Sequence, residues 1–448
     1  MMLAVEPTSD TKGVRLTLQI LEDIVDAKAS QNLGFRLWDG TLWPDACQRE
    51  ATVVLNHPGA LRSMFLPLSE VGLAEAYLRD DFDVEGNMES VFQSAHILTN
   101  LARDLTSRVR ILVELRGLPL GERNIATARG SARLSGRRHS LARDAEAIRY
   151  HYDVSTDFYR LWLDSNMVYS CGYFESEDNT LDRAQLDKLD YICRKLRLLP
   201  GQRLLDIGCG WGGLVIHAVR DYGVEAIGIT LSKPQAELAN LRIQDAGLTG
   251  RARVLVRDYR HMQEAGHFDA LASVGMFEHV GTSLLPRYFR QAARLLKPGG
   301  VFLNHGTCLG TKEYRGIGPS FSARYVFPDG ELVPVQASLQ TAYEAGLEVR
   351  DLESLREHYA ITLRHWVSRL ENMHDRALEF VDEATYRVWR LFMSGGAFAF
   401  ASGMLSVFQV LYVKPETSGK SNLPLTRNEW YRNLPAPESA RAYRRGTR

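Results

Sequence analysis

The sequence predicts an α/β protein whose larger part is a doubly wound parallel sheet, preceded by a small α+β domain. From about residue 150 onward, short apolar runs alternate with helical patterns, as in QRLLDIGCG, LVIHAVRDYG and VEAIGITLS. Strands that take turns with helices in this way favour right-handed βαβ units. A glycine-rich turn follows the apolar run that ends at Asp206-Ile207, which is typical of a strand-to-helix turn beside a ligand.

The composition is that of a globular protein with room for more than one domain. The chain has 448 residues, of which 45% are hydrophobic and 24% charged, and domains usually contain about 100–200 residues. Its 54 basic and 54 acidic residues cancel, which excludes the overall positive field of a dedicated nucleic-acid-binding protein. The five cysteines form no C-x-x-C pair, so we predict neither a disulfide framework nor a metal site, and a reducing cytoplasm fits best.

The sequence gives no indication of export or of a membrane span. The N-terminal MMLAVEPTSDTKGVRL lacks the basic region and apolar run of a secretory signal. The stretch from Leu391 to Val413 is long enough to cross a membrane, yet it contains glycines, serines and a glutamine. We interpret this stretch as buried core.

We expect four segments along the chain. Alternating apolar and polar residues in FRLWDGTLW and ATVVLNHPGAL indicate strands of an α+β domain over residues 1–100. A basic linker follows over 101–149, and the α/β domain occupies 150–415. The last segment, 416–448, is polar, basic and contains prolines, so we expect a loosely packed basic tail.

The predicted linker is rich in arginine. Between Gly121 and Arg143 the only acid is Glu122. One interpretation is a solvated connector; the other is a strip attracted to anionic phospholipid, at about 1 kcal/mol per basic residue near the surface. The sequence leaves both open. The arginines are Arg123, Arg129, Arg133, Arg137, Arg138 and Arg143.

The glycine-rich turn favours S-adenosylmethionine over a nicotinamide cofactor. Gly208, Gly210 and Gly213 also fit the G-x-G-x-x-G pattern of a dinucleotide site, which is weak evidence alone. However, Asp206 precedes the glycines, where a carboxylate suits a cationic, amino-acid-bearing ligand. The end of the next strand, GITLS, also offers no acid for the ribose of a nicotinamide cofactor.

Several motifs together resemble the cyclopropane-fatty-acyl-phospholipid synthase family of S-adenosylmethionine-dependent methyltransferases. The resemblance covers most of the chain, and YSCGYF, FEHVG and FPDGELVP are its most specific parts. The N-terminal FRLWDGT and GLAEAYLRDDFDVEG also resemble the lipid-associated domain of the longer bacterial members. The remaining matching motifs are HYDVSTDFYRLWLD, LLDIGCGWGG, GITLSKPQ, RLLKPGG and HYAITLRHW.

This resemblance implies a Rossmann-like class I methyltransferase fold with added helices over the site. It implies transfer of a methyl or methylene group from S-adenosylmethionine to a cis double bond of an unsaturated phospholipid acyl chain. A carbocation would lose a proton to bound bicarbonate and close to a cyclopropane. The expected partner is phospholipid at the membrane surface, with no nucleic acid, and the expected location is cytoplasmic, peripheral to the inner membrane face. A homodimer remains one option for the oligomeric state.

The resemblance also assigns site residues. The catalytic and bicarbonate-binding side chains would be Cys171, Glu278, His305 and Tyr359, with Thr307 contributing a backbone group. Aromatic faces that tolerate positive charge would come from Tyr169, Phe174, Phe277 and Tyr359. Cofactor contacts would come from Tyr169, Ser170, Asp206, Gly208, Gly210, Thr230, Leu231, Gln235, Asp258 and Tyr259.

One position departs from the family pattern. Aligned on Phe400 and Gln409, the place where members commonly have a cysteine holds Gly396. A thiol there cannot act in this chain, and the smaller SGGAFAFASG puts the product in doubt more than methyl transfer. The alternatives are therefore methylation or methylenation of an acyl chain or another lipophilic acceptor without ring closure, and a non-catalytic lipid-binding relative.

Overall fold

The structure is a computed structural model, and it describes residues 9–25, 29–67, 69–94, 105–121, 132, 134–152, 154–311, 320–421 and 423–431. Its internal contacts divide the chain into two compact units. The first comprises Met1–Ala132, Tyr314–Pro328 and Leu370–Ala399; the second comprises Arg133–Glu313, Asp329–Arg369 and Phe400–Arg448. Two segments of the range predicted as the α/β domain thus belong to the first unit.

The elements are numbered in chain order. The strands are β1 Leu33–Arg36, β2 Leu42–Trp43, β3 Ala51–Leu55, β4 Phe82–Gly86, β5 Arg203–Ile207, β6 Glu225–Thr230, β7 Ala252–Val256, β8 Phe268–Val274, β9 Leu296–Leu309, β10 Glu348–Ser354 and β11 Leu405–Val413. The helices are α1 Ser9–Ile24, α2 Ala29–Asn32, α3 Ala60–Phe65, α4 Glu70–Leu78, α5 Met88–Gln93, α6 Leu105–Gly117, α7 Leu141–Tyr152, α8 Thr156–Trp162, α9 Leu181–Lys195, α10 Gly213–Tyr222, α11 Lys233–Asp245, α12 Leu285–Leu295, α13 Phe321–Tyr325, α14 Val335–Glu344, α15 Arg356–Asn372, α16 His374–Ala377, α17 Glu383–Ser402 and α18 Asn428–Tyr431. Short 3-10 turns span Tyr259–His261, Phe277–His279 and Thr282–Leu284.

The first unit contains a four-stranded sheet in the order β2-β1-β3-β4. Strands β1 and β3 run parallel, whereas β1 with β2 and β3 with β4 run antiparallel. Along β3 the side chains of Ala51, Val53 and Leu55 are buried and the two between them are half-buried, as expected for a strand with one face on a core. Helices such as α4 supply the rest of that core, which confirms the predicted α+β character.

Helix α6 lies within the range predicted as a basic linker, yet it contributes to the core of the first unit. Its Ile111 and Leu115 are buried in the same apolar cluster as Ile20 and Phe35. The prediction of a basic linker is therefore wrong for α6. Apolar side chains four residues apart face the core, as in an amphipathic helix. The many arginines in this part of the sequence made that spacing hard to recognise.

Two arginines of the predicted linker are paired with acids of the second unit. Arg138 lies 2.9 Å from Glu331 Oε1, and Arg143 donates to Asp329 Oδ1 over 2.9 Å. Their charges are thus partly neutralised by protein carboxylates. Three further arginines of the strip lie outside the described residues, namely Arg123, Arg129 and Arg133.

The second unit is built on a seven-stranded sheet in the order β10-β11-β9-β8-β5-β6-β7. Strands β7, β6, β5, β8 and β9 are parallel neighbours, whereas β11 runs antiparallel to both β9 and β10. Consecutive residues on β5 face opposite sides: Leu204 packs in a cluster with Val215 of α10, and Leu205 in one with Phe289 of α12. Helices therefore cover both faces, as the doubly wound prediction requires.

The apolar stretch from Leu391 to Val413 is divided between two elements. It comprises the end of α17, a turn at Gly403 and the whole of β11. Strand β11 is buried between two neighbouring strands, so the interpretation as core is confirmed. No helix among the described residues is long and apolar enough to span a membrane.

The segment after residue 416 is packed more firmly than predicted where the structure describes it. Trp430 is buried in the core of the second unit, its carbonyl accepts from Arg194, and Arg427 pairs with Asp351 over 2.6 Å. Burial of the indole removes a large apolar area from water, which stabilises the packed arrangement of this segment. The expectation of a loosely packed tail is therefore wrong for these residues. Residues 432–448 lie outside the described part.

We expect Trp430→Ala to destabilise the second unit. Loss of a buried tryptophan costs about 3–5 kcal/mol of unfolding free energy, which urea unfolding followed by circular dichroism would measure. The matched control is Leu425→Ala, since Leu425 is fully exposed and should change stability by less than about 0.5 kcal/mol. Equal stabilities of the two variants would show that the segment does not pack.

Candidate active site

The predicted site residues gather at the carboxyl ends of the parallel strands in the second unit. Asp206 lies at the end of β5, Thr230 ends β6, and Glu278 follows β8 in a 3-10 turn. His305 lies in β9, and its carbonyl accepts from Gly275 just beyond β8. In open α/β sheets, ligands bind at this edge.

The glycine-rich turn leaves space for a ligand. Gly208, Gly210 and Gly212 all have positive φ, from 53° to 82°, a backbone conformation that other residues adopt at a cost. A β-carbon on Gly210 would meet no described atom within 4 Å, whereas one on Gly208 would clash with Met276 at 2.7 Å. The turn is therefore open at Gly210, where a bound molecule can approach the backbone.

Asp206 and Lys188 of α9 are both buried and influence each other through their charges. Burial raises the pKa of Asp206 to about 7, opposed by the positive charge of Lys188. Burial likewise lowers the pKa of Lys188 to about 8, opposed by Asp164, Cys171 and Asp206. Asp206 Oδ1 has no hydrogen-bond partner among the described residues, so an acceptor remains for the ammonium group of an amino acid ligand.

Helix α9 also fixes the segment that carries Ser170. Lys188 Nζ donates to Ser170 Oγ over 2.8 Å, and Gln185 Nε2 donates to the Ser170 carbonyl over 2.8 Å. The helix begins after Thr180, whose side chain accepts from Arg183 N, as an N-cap residue should. Helix α9 thus acts on both Asp206 and Ser170, two residues of the predicted cofactor site.

Helix α15 holds the other end of this segment. Thr362 Oγ1 accepts from the Gly172 N–H over 2.9 Å, and His358 Nδ1 accepts from the Phe174 N–H over 3.0 Å. Cys171, which directly precedes Gly172, is fully buried. Burial raises the pKa of the Cys171 thiol, opposed by Lys188, which keeps the sulfur in its neutral form.

Two of the four predicted aromatic faces share a neighbour. The ring centroids of Tyr169 and Tyr359 lie 5.2 Å and 6.1 Å from that of Trp366. Phe277 instead packs in the apolar core, and Phe174 stacks on His365 at 5.6 Å. The structure therefore brings Tyr169 and Tyr359 to one aromatic cluster and uses Phe277 as core.

The residues predicted to hold the adenosine part are tied to neighbours. Thr230 Oγ1 donates to Gln235 Oε1 over 2.7 Å, and Ser232, which caps α11, keeps this corner rigid. Leu231, between Thr230 and Ser232, is half-buried.

On the next strand, the carboxylate of Asp258 accepts from the side chain of Arg260 over 2.6 Å and 2.9 Å. Arg260 also reaches Asp144 of α7 over 2.9 Å, while Tyr259 packs edge-on against Tyr288. Asp258 is therefore engaged by protein, and a cofactor contact there would have to share the carboxylate with Arg260.

Glu278 and His305 each have one buried polar atom that no described residue satisfies. Glu278 Oε1 accepts from the Thr307 N–H over 2.6 Å, while Gln409 Nε2 lies 3.2 Å from His305 Nδ1. Glu278 Oε2 and His305 Nε2 are buried and lack a partner within the described ranges. Because Thr307 lies two residues beyond His305 on β9, this hydrogen bond holds the Glu278 carboxylate near the part of β9 that carries His305.

Burial favours the neutral form of every titratable group in this pocket. It raises the pKa of Glu278, opposed by the Thr307 hydrogen bond, and lowers the pKa of His305 well below its usual value, assisted by Lys188 and Lys195.

Burial also raises the pKa of Tyr359 well above its usual range, with further contributions from the charges of Glu278, Cys171 and Tyr152. The charge effects of Glu278 and Cys171 on Tyr359 indicate that both lie near its hydroxyl group.

Comparison with known proteins identifies the family. The mycolic acid cyclopropane synthetase family model matches residues 139–410. The chain belongs to this family of S-adenosylmethionine-dependent methyltransferases. A probable fatty acid methyltransferase of Pseudomonas putida is 41% identical over 403 residues, which cover 89% of this chain and 96% of that protein.

Other members of the cyclopropane synthetase family extend the comparison. The cyclopropane-fatty-acyl-phospholipid synthase of Escherichia coli K12 is 35% identical, over 60% of this chain and 68% of that protein. The crystal structure of the mycolic acid cyclopropane synthase CmaA1 with SAH and CTAB has a TM-score of 0.57 and 35% identity, over 60% of this chain and 97% of that one. The family, the fold and S-adenosylmethionine as the methyl donor, all predicted from the sequence, are thereby confirmed.

Sequence reasoning missed two residues of this cyclopropane synthetase site. Lys188 is 1% exposed and Gln409 fully buried, although both were absent from the predicted set. Lys188 lies in a helix with several charged residues, which looks like a surface helix. A signal existed for Gln409, since it is a polar residue within the apolar run LSVFQVLYV.

We expect the affinity for S-adenosylhomocysteine to depend on pH through Asp206. Below pH 7 this carboxyl is protonated and cannot pair with the ligand's ammonium, so the Kd should fall about tenfold between pH 6 and pH 8. Calorimetry at a series of pH values would measure this. Asp206→Asn should weaken binding and flatten the profile, and Lys188→Met should move its midpoint upward by about one unit. A flat wild-type profile would contradict the assignment.

Proposed function

We propose that this chain transfers a methylene group from S-adenosylmethionine to a cis double bond of an unsaturated phospholipid acyl chain, and that bound bicarbonate removes the proton that allows the ring to close. The observation that carries the proposal is the set of groups held in their neutral form at Cys171, Glu278, His305 and Tyr359, in which Glu278 Oε2 and His305 Nε2 are buried without a partner among the described residues. Neutral donors in a low-dielectric pocket suit a small anion, whereas ionised carboxylates would repel it.

The residues present fit the cofactor. Asp206 Oδ1 is a buried acceptor without a described partner, and Gly210 borders open space, so an amino-acid end can lie between them. Ser170, held by Lys188, would orient the adjoining part, and Thr230 with Gln235 would meet the adenosine. When bound, the sulfonium supplies an electrophilic methyl group.

The residues also fit a bicarbonate ion. The protonated nitrogen of His305 and the Tyr359 hydroxyl are donors, and a neutral Glu278 would be both donor and acceptor. The Cys171 thiol donates to the Gly172 and Leu355 carbonyls, so it would have to turn from them to reach the anion. The Thr307 N–H donates to Glu278, so we assign it the role of orienting Glu278 rather than of a direct anion contact. When bound, bicarbonate supplies a base that is held by donors and shielded from water.

The aromatic cluster suits the electron-deficient carbon that forms on the acyl chain. Tyr169 and Tyr359 both pack near Trp366, and aromatic faces attract positive charge by about 0.5–2 kcal/mol each. They offer no strong nucleophile, because burial holds Tyr359 in its protonated form. The cation would therefore survive long enough to lose a proton.

We propose phospholipid as the substrate class because the Escherichia coli relative is named a cyclopropane-fatty-acyl-phospholipid synthase. Acyl double bonds lie inside a bilayer, so the protein would act while bound peripherally to the inner membrane face. The paired state of Arg138 and Arg143 makes these two residues poor candidates for the membrane contact.

A second candidate is methylation of the acyl chain without ring closure. The Pseudomonas putida relative, which matches most of this chain, is named a probable fatty acid methyltransferase. Gly396, where the sequence departs from the family pattern, is half-buried in α17 within the first unit.

We expect lipids treated with the wild-type protein to gain one CH2 and to resist ozone at the former double bond, since a cyclopropane has no alkene left. The assay would use vesicles of a monounsaturated phospholipid with S-adenosylmethionine, followed by mass spectrometry and ozonolysis. His305→Ala should lower product formation about 100-fold without changing affinity for S-adenosylhomocysteine, and decarbonated buffer should have the same effect on the wild type.

An ozone-sensitive product with the same mass gain would favour the second candidate. No lipid product from a folded protein that binds S-adenosylhomocysteine would contradict both candidates and favour a non-catalytic relative. A full rate in decarbonated buffer would remove bicarbonate from the account.

A further inference from the structure

We propose that Gln409 is a positioning residue that holds His305 in the tautomer whose Nε2 carries the proton. This inference rests on the proposed function, in which His305 donates a hydrogen bond to a small anion. Gln409 does not reach the reacting atoms itself; it acts through the imidazole.

The fold places the two side chains opposite each other. Strands β9 and β11 run antiparallel, and their register pairs Gln409 directly with His305. Both side chains are almost completely buried, at 0% and 1% exposure. Gln409 Nε2 lies 3.2 Å from His305 Nδ1, which is within hydrogen-bonding distance.

This contact selects the tautomer. The imidazole is neutral, because burial and two nearby lysines lower its pKa well below the usual value, so one ring nitrogen donates and the other accepts. In the amide orientation of the structure, Gln409 Nε2 faces Nδ1 and Gln409 Oε1 has no partner among the described residues; an amide nitrogen only donates, so Nδ1 is the acceptor in this arrangement. The proton then resides on Nε2.

The second nitrogen is available for a ligand. His305 Nε2 is buried and has no hydrogen-bond partner in the described part of the chain. A buried N–H without a partner costs about 1–3 kcal/mol, and an anion oxygen would satisfy it. With the other tautomer, a lone pair on Nε2 would face that oxygen and repel it.

The neighbouring groups are consistent with this assignment. Lys188 and Lys195 act on His305 by charge alone, with their ammonium groups bonded to Ser170 and Glu353 respectively. Glu278 is already oriented by the Thr307 N–H. Among the described side chains, Gln409 is thus the group that makes a hydrogen bond to the ring of His305.

The direct test is nitrogen NMR of the resting protein labelled with 15N-histidine, with the His305 signals assigned by their absence in His305→Ala. In the wild type we expect a protonated Nε2 and an unprotonated Nδ1. In Gln409→Glu, measured at a pH high enough to ionise the buried carboxyl that this change introduces, the carboxylate would accept from Nδ1–H, so the proton should move to Nδ1 or both nitrogens should be protonated. A protonated Nδ1 with a bare Nε2 in the wild type would overturn the proposal.

The kinetic test uses Gln409→Glu and Gln409→Leu, with Ser406→Ala as the control on the same strand. Both Gln409 variants should lose about 10- to 100-fold in kcat and keep the wild-type affinity for S-adenosylhomocysteine, while Ser406→Ala should keep both. Circular dichroism would establish whether each variant folds. If Gln409→Leu does not fold, the NMR measurement on Gln409→Glu still tests the proposal. Wild-type kcat in a folded Gln409→Glu variant would overturn the proposal.

The two tests separate this inference from the proposed function. The NMR measurement needs no substrate, so a protonated Nε2 that is lost in Gln409→Glu supports the inference even if no lipid is converted. Conversely, ring formation by the wild type with an unchanged tautomer in Gln409→Glu would support the proposed function and overturn the inference.

Discussion

Burial of the titratable groups at the carboxyl ends of the strands governs the chemistry of this site. Ionised groups lose their hydration when they are buried, so acids become weaker and bases less basic. Glu278, Tyr359 and Cys171 accordingly have raised pKa values, and His305 a lowered one. A pocket made of neutral hydrogen-bonding groups results, and such a pocket can accept one anion without the repulsion that a carboxylate would exert.

The cofactor side of the same region needs the opposite condition, a charge that survives burial. Lys188 meets this need, because its ammonium offsets part of the cost of ionising Asp206 while its hydrogen bond fixes Ser170. Helix α9 therefore couples the electrostatics of the site to its geometry. Removing Lys188 would leave the charge of Asp206 without this compensation.

Local patterns were enough to predict the doubly wound sheet, the turn at Gly210 and the acid at Asp206, because each depends on neighbours in the sequence. Lys188 and Gln409 could not be predicted in the same way. Whether a lysine on a charged helix is buried depends on what packs against it, and Gln409 meets His305 only through the register of two strands. The extent of the first unit could not be predicted for the same reason. Arg387 of α17 donates to Asp80, and these two residues lie far apart in the sequence.

The most direct test of the central claim is whether the pocket binds a small anion. Carbon NMR of 13C-bicarbonate, added to the protein with S-adenosylhomocysteine, would measure this without a lipid substrate. The account predicts a bound signal with one site per chain that is lost in His305→Ala and persists in Glu278→Gln, because glutamine imitates the neutral acid. Absence of a bound signal from wild-type protein that binds S-adenosylhomocysteine would contradict the account.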